Sequence, residues 1–390
     1  MKSRSSRRSF LAAGLAVPAA ALASKGSRSA LAPGVLRPVA DAEPQLRYRE
    51  LGSTGVKVTE VGFGCLVTSD PSVIEAAADI GINLFDTARS YQSGNNERLV
   101  GSALKSRRKD VLISTKTGSR SAKGALADLE TSLRELGTDY IDIWYLHGRR
   151  RPSDITDDLL EVFEKAKKDG KVRFTGFSTH NGMKELLREC AGKPHIDVIL
   201  TTYNFTMDED MAAAIREARS KGAGVVAMKV MAGGFRKIRP GHPLYEKFQK
   251  DGTMLAALKW VLADKNVDST IPSMKDMEEL EENLRAMSSP LTEEDRKLLA
   301  RQLDYIRPLY CRTCGACEGA CPKGLPVSDM LRHLSYAEGY GQFQLARENF
   351  LELPAEVRAV RCADCAECAV ECPNGVRVAE RLIRAQELLA

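Results

Sequence analysis

The stretch NLFDTARSYQSGNNERLVG, residues 83–101, contains the pattern from which the fold and the chemistry are predicted. Its opening apolar run is typical of a short buried strand, which ends at Asp86. Tyr91 follows in the next loop, and Asn95 and Asn96 are expected to cap a helix. The stretch therefore predicts a carboxylate and a phenol close together where a strand gives way to a helix.

Two later apolar runs end in residues of complementary chemistry. Lys116 closes VLISTK, and His147 closes IDIWYLH. Eight such runs alternate with helical patterns over about 250 residues, the length of a closed (β/α)8 barrel. They are VGFGC, NLFDTA, VLISTK, IDIWYLH, VRFTGFS, DVILTTYN, GVVAMKV and STIPS. A TIM barrel keeps its catalytic groups at the carboxyl ends of its strands. A hairpin around residues 53–55 is expected before it, and no GxGxxG follows the first strand to indicate a Rossmann fold.

The motifs FDTARSY, NNERLVG, STK and LHG, in that order, resemble those of the aldo/keto reductases. The resemblance covers roughly residues 46–304 and implies a catalytic tetrad of Asp86, Tyr91, Lys116 and His147. In such a tetrad Tyr91 donates a proton to a carbonyl that accepts hydride from a nicotinamide, while His147 holds the substrate oxygen or assists the proton transfer. Lys116 is expected to lower the pKa of the phenol below its usual value of about 10, and Asp86 to keep the lysine charged. A buried Asp86–Lys116 ion pair without catalytic use is the alternative.

The same resemblance implies a site for NAD or NADP. Ser178 matches a position that holds the nicotinamide amide, and Asn181 is expected to substitute for the asparagine that the family places soon after it. The loop from Lys229 through Gly233 and Gly234 resembles one that covers the pyrophosphate. Glycines there would permit close backbone approach. Two positions depart from the family pattern: Thr179 follows Ser178, and Leu200 stands where the family places a glutamine.

The choice between the two nucleotides depends on the segment IPSMKDMEELEEN, in which Glu282 and Asn283 match adenine contacts. Members that prefer NADP commonly have cations at the positions of Ser273 and Glu279. A 2′-phosphate would lose both cations here and meet a carboxylate, so NAD is favoured. Lys275 offers another anchor for NADP.

Eight of the ten cysteines form two runs of the spacing C-x2-C-x2-C-x3-C-P, which is typical of four-iron, four-sulfur clusters. In two-cluster ferredoxins the fourth cysteine of each run binds the other cluster. One [4Fe-4S] cluster is therefore assigned to Cys311, Cys314, Cys317 and Cys372. The second is assigned to Cys362, Cys365, Cys368 and Cys321. A zinc ribbon or a set of disulfides is the alternative.

Forty residues separate Cys321 from Cys362, more than a compact bacterial ferredoxin needs. Helical patterns cover residues 327–336, 341–351 and 377–389. A small, mainly helical ferredoxin-like domain with two [4Fe-4S] clusters is therefore predicted over residues 305–390, after a barrel over residues 46–304.

The segment SRRSFLAAGLAVPAAALA resembles a twin-arginine export signal, and residues 1–23 are predicted to be removed. Residues 24–45 are expected to be a linker. Four of the excess positive charges behind the net charge of +5 lie in the signal, so charge gives no reason to expect a nucleic acid partner. The apolar run is too short for a membrane anchor. Export implies the periplasm or cell envelope; a disordered basic tail is the alternative.

The remaining candidate residues are assigned as follows. Cys65 and Cys190 are expected to be buried, although Cys65 ends a barrel strand. The basic runs 149–151 and 236–239 are interpreted as solvated loops, with an anionic substrate or a docking surface as alternatives. Four histidines are expected to be structural: His180, His195, His242 and His333.

Together these features predict an oxidoreductase that transfers hydride between a nicotinamide and a small carbonyl or alcohol substrate. Two clusters would exchange electrons with it and with a redox partner protein. One alternative is an electron-transfer or scaffold protein whose barrel has lost carbonyl reduction. In another, the clusters only brace the C-terminus, as structural metals do.

Overall fold

The computed structural model of the protein describes residues 45–234 and 252–390, and its largest element is a closed parallel barrel. Two strands form an antiparallel hairpin before the barrel, β1 (Tyr48–Glu50) and β2 (Lys57–Thr59). The barrel strands are β3 (Phe63–Gly64), β4 (Leu84–Asp86), β5 (Leu112–Thr117), β6 (Ile141–Leu146), β7 (Val172–Thr179), β8 (Val198–Thr202), β9 (Gly224–Met228) and β10 (Ser269–Thr270). They pair in chain order, and bridges from Val61 to Thr270 and from Gly64 to Ser273 close the ring. The predicted (β/α)8 barrel and its hairpin are confirmed.

Helices cover the barrel and form the C-terminal domain. Those around the barrel are α1 (Pro71–Ile80), α2 (Asn95–Ala103), α3 (Ala122–Leu136), α4 (Asp157–Lys168), α5 (Met183–Cys190), α6 (Glu209–Ser220), α7 (Thr253–Ala263), α8 (Met277–Ser288) and α9 (Glu293–Ile306). The C-terminal helices are α10 (Val327–Glu338), α11 (Phe343–Leu351), α12 (Ala355–Ala359) and α13 (Val378–Leu389). Helix α9 runs across the predicted domain boundary at residue 304. The predicted signal peptide and nearly all of the predicted linker lie outside the described residues.

Local sequence signals explain where individual helices begin and end. Asp70 caps α1 by accepting a hydrogen bond from the backbone N–H of Ser72, and Pro71 occupies the first helical turn. Gly81 ends the helix with φ of 108°, a conformation that glycine adopts without strain. Such boundaries fix the inward faces of the helices, whose apolar residues pack on the barrel.

The predicted capping of α2 by Asn95 and Asn96 is wrong. The helix begins at Asn95 itself, with Gly94 as the N-cap residue and no side-chain cap. Asn96 is buried, where its Oδ1 accepts from Thr87 Oγ1 at 2.6 Å and its Nδ2 donates to the carbonyl of Cys65 at 2.9 Å. The side chain therefore ties α2 to two barrel strands instead of capping the helix.

The C-terminal domain packs against the barrel through polar contacts. Arg150 pairs with Glu318 at 3.1 Å and also with Asp329. The hydroxyl of Tyr340 accepts a hydrogen bond from the backbone N–H of Gly233 at 3.2 Å. The interpretation of residues 149–151 as a solvated loop is therefore wrong for Arg150. It is also wrong for Arg149, which is buried and donates to the carbonyl of Ser119. The run at residues 236–239 lies outside the described residues.

Glycine at position 339 is needed for this packing. A Cβ atom there would lie 1.8 Å from the carbonyl oxygen of Gly233. We expect Gly339→Ala to lower stability by about 1–3 kcal/mol through overpacking, measured as a lower melting temperature and faster proteolysis of the C-terminal domain. Gly118→Ala is the matched control, because a Cβ atom there would meet nothing within 4 Å. Equal melting temperatures for the two variants would contradict the proposed role of Gly339.

Both cysteines outside the two runs, Cys65 and Cys190, are fully buried, as predicted. Within residues 45–234 and 252–390, no helix combines the length and apolar character needed to cross a membrane.

Candidate active site

Three of the four predicted tetrad residues form a hydrogen-bonded group at the carboxyl ends of β4 and β5. Lys116 Nζ donates to Asp86 Oδ2 at 2.6 Å and to the carbonyl of Thr87 at 2.6 Å. It also lies 3.2 Å from the hydroxyl of Tyr91. Ser114 Oγ donates to the other carboxylate oxygen of Asp86 at 2.6 Å. Because Asp86 is held on both sides, it fixes the position of the lysine next to the phenol.

The ionisation of this group differs from the prediction in one respect. Burial by itself would lower the pKa of Lys116, but the Asp86 carboxylate reverses the effect and raises that pKa. Burial raises the pKa of Tyr91 to about 12, and the opposing influence of Lys116 does not reverse it. The predicted lowering of the phenol's pKa is therefore wrong in its net direction. Tyr91 keeps its proton at neutral pH, as a proton donor requires.

His147 completes the tetrad from the end of β6. Its ring lies edge-on to that of Tyr91, with 5.9 Å between the ring centres. Burial, together with the charges of Lys116 and Arg332, lowers the pKa of His147 to about 3. The imidazole is therefore neutral near pH 7, and one of its nitrogens is able to donate a hydrogen bond to a carbonyl oxygen.

A cavity of about 590 Å³ connects the tetrad with the segments predicted to bind the nucleotide. The predicted site residues that line it are Asp86, Tyr91, His147, Lys229, Gly234, Ser273, Lys275 and Asn283. Lys116 lies behind Tyr91. The cavity therefore brings together the predicted catalytic residues and much of the predicted nucleotide site.

Four predicted nucleotide contacts do not line this cavity: Ser178, Asn181, Gly233 and Glu282. Ser178 Oγ accepts from the backbone N–H of Gly148 at 2.9 Å. With its amide oriented to suit its neighbours, Asn181 donates to the carbonyl of His180 at 3.0 Å and accepts from Arg150 at 3.3 Å. Both side chains therefore serve the fold around the end of β7.

The glycine pair after β9 also has a role that the sequence did not predict. Gly233 and Gly234 have φ values of 85° and 68°, in the left-handed region that favours glycine. The close approach that they allow is made by the C-terminal domain, through Gly339 and Tyr340. Gly234 lines the cavity and Gly233 does not, and the approach of this loop to a pyrophosphate stays a prediction.

Lys275, the predicted alternative anchor for a 2′-phosphate, is held by acidic neighbours. Its Nζ lies 2.6 Å from Glu279 Oε1 and 3.3 Å from Asp276 Oδ2. Both acids lie at the N-terminal end of α8, where Asp276 is the N-cap residue. A phosphate group would therefore have to compete with carboxylates for this lysine.

Among residues 45–234 and 252–390, no three or more histidine, cysteine, aspartate or glutamate side chains are placed to hold a metal ion. The cysteines of the C-terminal domain nevertheless influence one another electrostatically in two groups of four. Burial raises the pKa of Cys311 to about 12, and a further rise comes from the neighbouring Cys317, Cys314 and Cys372. Burial raises the pKa of Cys362 to about 11, with further rises from Cys321, Cys365 and Cys368. Each group thus combines three cysteines of one run with the fourth of the other. This donor set suits a [4Fe-4S] cluster, and the crossed ligation itself stays a prediction.

A parallel barrel with a Tyr–Lys–Asp–His group at its carboxyl face, joined to a domain with two cysteine quartets, defines a redox enzyme. The sequence matches the profile of the aldo/keto reductase family over residues 69–303, and the chain belongs to this family. Residues 310–377 match the profile of a 4Fe-4S dicluster domain. The predicted family and the predicted iron–sulfur domain are both confirmed.

Individual relatives agree with this assignment. The chain is 28% identical over 298 residues to the uncharacterized oxidoreductase YqkF of Bacillus subtilis, a match that covers 65% of this chain and 95% of the relative. It is 28% identical over 285 residues to L-galactose dehydrogenase of Arabidopsis thaliana, a match that covers 63% of this chain and 89% of the relative. An aldo-keto reductase from Bacillus halodurans in its holo form superposes with a TM-score of 0.56 at 28% identity. The superposition covers 66% of this chain and 96% of that structure.

Several residues that line the cavity were not predicted. His180, which was expected to be structural, lines it after β7. Arg332, Tyr336 and Tyr340 line it from the C-terminal domain. The sequence signal for Arg332 and Tyr336 was their spacing of four on α10, which places both on one face of the helix. His242 lies outside the described residues.

Proposed function

We propose that the protein reduces a small carbonyl compound with NAD as its nucleotide and exchanges electrons through its two clusters with a partner protein. The observation that supports the proposal best is the hydrogen-bonded group of Asp86, Lys116 and Tyr91 beside His147 in one cavity. The reverse reaction, oxidation of an alcohol, would use the same groups.

Each tetrad residue has a distinct task in this proposal. The bound nicotinamide would supply the hydride. Tyr91 donates its proton to the substrate oxygen, and Lys116 stabilises the phenolate that remains. Asp86 keeps Lys116 charged. His147 donates a hydrogen bond to the same substrate oxygen and so aligns the carbonyl with Tyr91.

The charges on the cavity wall support the choice of NAD over NADP in this proposal. Ser273, Lys275 and Asn283 line the part of the cavity where the adenosine is proposed to lie. Glu279 also lines it and already holds Lys275 at 2.6 Å. A phosphate beside Glu279 would be repelled by the carboxylate, whereas the ribose hydroxyl of NAD is able to donate to it.

The N-terminal sequence adds a compartment to the proposal. If residues 1–23 direct export by the twin-arginine route, the enzyme works in the periplasm or envelope, where no nicotinamide pool refills it. The nucleotide would then have to stay bound through the catalytic cycle. The two clusters, each carrying one electron, would together supply or remove its two electrons in place, with one proton taken up from or released to solvent. The likeness to L-galactose dehydrogenase and to L-glyceraldehyde 3-phosphate reductase of Escherichia coli supports a small carbonyl or alcohol as substrate.

The proposal is tested by denaturing holoprotein purified from the envelope fraction and identifying the nucleotide that is released. We expect NAD. In titrations NAD should bind about 10- to 100-fold more tightly than NADP, because a charge-assisted contact to the 2′-phosphate is lost. Glu279→Gln should narrow this difference, and the exposed neighbour provides the control variant, Glu278→Gln. Release of NADP would contradict the preference, and rapid nucleotide exchange at micromolar affinity would contradict retention.

A second candidate function is electron transfer without carbonyl reduction. One observation favours it: Leu200, at the position where the family places a glutamine, is fully buried in the barrel interior and offers no group for the nicotinamide amide. Failure of the purified holoprotein to bind either nucleotide would support this candidate over the reductase.

A further inference from the structure

The cavity contains a second polar group, to which both domains contribute. Lys229 follows β9, while Arg332 and Tyr336 lie one turn apart on α10. The Tyr336 hydroxyl oxygen accepts from Lys229 Nζ at 2.8 Å and from Arg332 Nη1 at 3.4 Å. Lys229 Nζ also lies 4.6 Å from the centre of the Tyr336 ring. All three residues line the same cavity as the tetrad.

This group has more positive than negative charge. Arg332 pairs with Asp329 at 2.8 Å, but the same carboxylate also pairs with Arg150. Glu318, the other partner of Arg150, is about half exposed, with 49% of its side-chain surface accessible. Among residues 45–234 and 252–390, no carboxylate forms an ion pair with Lys229. The Asp329 carboxylate is therefore shared by two guanidinium groups, and no ion pair neutralises the Lys229 ammonium group.

An anion in the cavity would relieve an unfavourable arrangement. Burial and the charge of Arg332 lower the pKa of Lys229, because an ammonium group away from water needs a counter-ion. The same two cations lower the pKa of both His147 and His180. Their field therefore reaches the place where the carbonyl of the substrate is proposed to lie.

The Tyr336 hydroxyl supplies a hydrogen-bond donor as well. Because its oxygen accepts from Lys229 and Arg332, its own proton is left for a third partner. Although burial acts in the opposite direction, the two cations lower the pKa of Tyr336 to about 8. The phenol therefore keeps its proton at neutral pH.

We propose that Lys229, Arg332 and Tyr336 bind an anionic group, a carboxylate or a phosphate, on the carbonyl substrate. Guanidinium and ammonium groups are the usual partners of such oxygens, and the phenol adds a neutral donor. The inference rests on the proposed carbonyl reduction and specifies its substrate class. Four acidic residues line the same cavity, and none belongs to this group: Asp86, Glu279, Glu348 and Glu352. Asp86 is paired with Lys116, and the three glutamates would repel an anion elsewhere in the cavity.

Matched substrate pairs test the proposal. Glycolaldehyde phosphate is compared with glycolaldehyde, and 4-carboxybenzaldehyde with its methyl ester, on NAD-loaded holoprotein. We expect kcat/KM to be at least 10-fold higher for one anionic member, and the pair that shows this distinguishes phosphate from carboxylate. Equal kcat/KM values within both pairs would overturn the proposal.

Variants then test whether Arg332 is responsible for the preference for anionic substrates. Arg332→Gln should reduce the anionic preference about 10- to 100-fold, mainly through KM, and Arg332→Lys should restore part of it. Asp329 keeps Arg150 as a partner in both variants, and an unchanged iron content confirms that the domain is folded. Arg347→Gln, which removes an exposed arginine on α11, is the control and should leave the preference intact.

Two further measurements separate this inference from the alternatives. Lys229→Met should weaken the anionic preference. If it instead weakens only nucleotide affinity, Lys229 serves the pyrophosphate and the inference is overturned. Benzoate, with benzamide as its neutral counterpart, is titrated into NAD-loaded holoprotein and requires no turnover. Benzoate binding that depends on Arg332, in a protein that reduces no aldehyde, would support the anion site and overturn the reductase activity instead.

Discussion

Replacing Tyr91 with phenylalanine is expected to slow carbonyl reduction by about 10²–10⁴-fold, because the variant lacks the proposed proton donor. Nucleotide affinity should stay unchanged, since the phenol is not among the proposed nucleotide contacts. The rest of the site should also persist. Lys116 loses one contact of 3.2 Å but keeps its bonds to Asp86 and to the carbonyl of Thr87.

The measurement is single-turnover oxidation of bound NADH by the aldehyde, which excludes product release from the observed rate. Tyr48→Phe is the matched control, because Tyr48 is an exposed phenol in the hairpin before the barrel. Unchanged turnover in Tyr91→Phe would show that another group donates the proton. Since burial raises the pKa of Tyr91 to about 12, its ionisation should not slow reduction between pH 6 and pH 9.

The second large effect is the loss of a whole cluster. Anaerobically prepared protein should contain about eight iron atoms and eight acid-labile sulfides per chain. Cys372→Ser should remove about half of them, through the cluster to which Cys311, Cys314 and Cys317 are also assigned. Cys190→Ser, at a buried cysteine outside both runs, should leave the iron content unchanged.

Double variants decide whether ligation is crossed. Combining Cys314→Ser with Cys372→Ser should cost no more iron than either single change, because both residues are assigned to one cluster. Combining Cys314→Ser with Cys321→Ser should remove nearly all iron, although both belong to the same run. The reverse result, with the second pair losing only half of the iron, would show that each run binds its own cluster.

Local sequence patterns were sufficient to predict the barrel, because each strand is a short apolar run that is bounded by turns and buried on both faces. The tetrad positions followed from strand ends, and the cysteine spacing identified the cluster domain. Each of these features lies within a few residues of chain. The predicted cap of α2 failed because Asn96 finds partners just after the ends of β3 and β4, which no local rule describes.

Contacts between distant segments could not be predicted. Tyr336 meets Lys229 across 107 residues of sequence, and nothing near either residue indicates the other. The direction in which the pKa of Tyr91 is shifted also could not be predicted from the sequence. That direction depends on how completely neighbouring segments exclude water from the phenol, because burial raises the pKa and Lys116 lowers it. The sequence indicated only the nearby lysine.

Helices α10 and α11, which form one wall of the catalytic cavity, lie in the chain between Cys321 and Cys362. These two cysteines are assigned to the same cluster, so the cluster would cross-link the two ends of the segment that forms this wall. Such a cross-link reduces the number of conformations available to the chain between the two cysteines. Iron loading and active-site assembly would then be a single event. Oxygen damage to that cluster would dismantle a substrate pocket as well as an electron carrier.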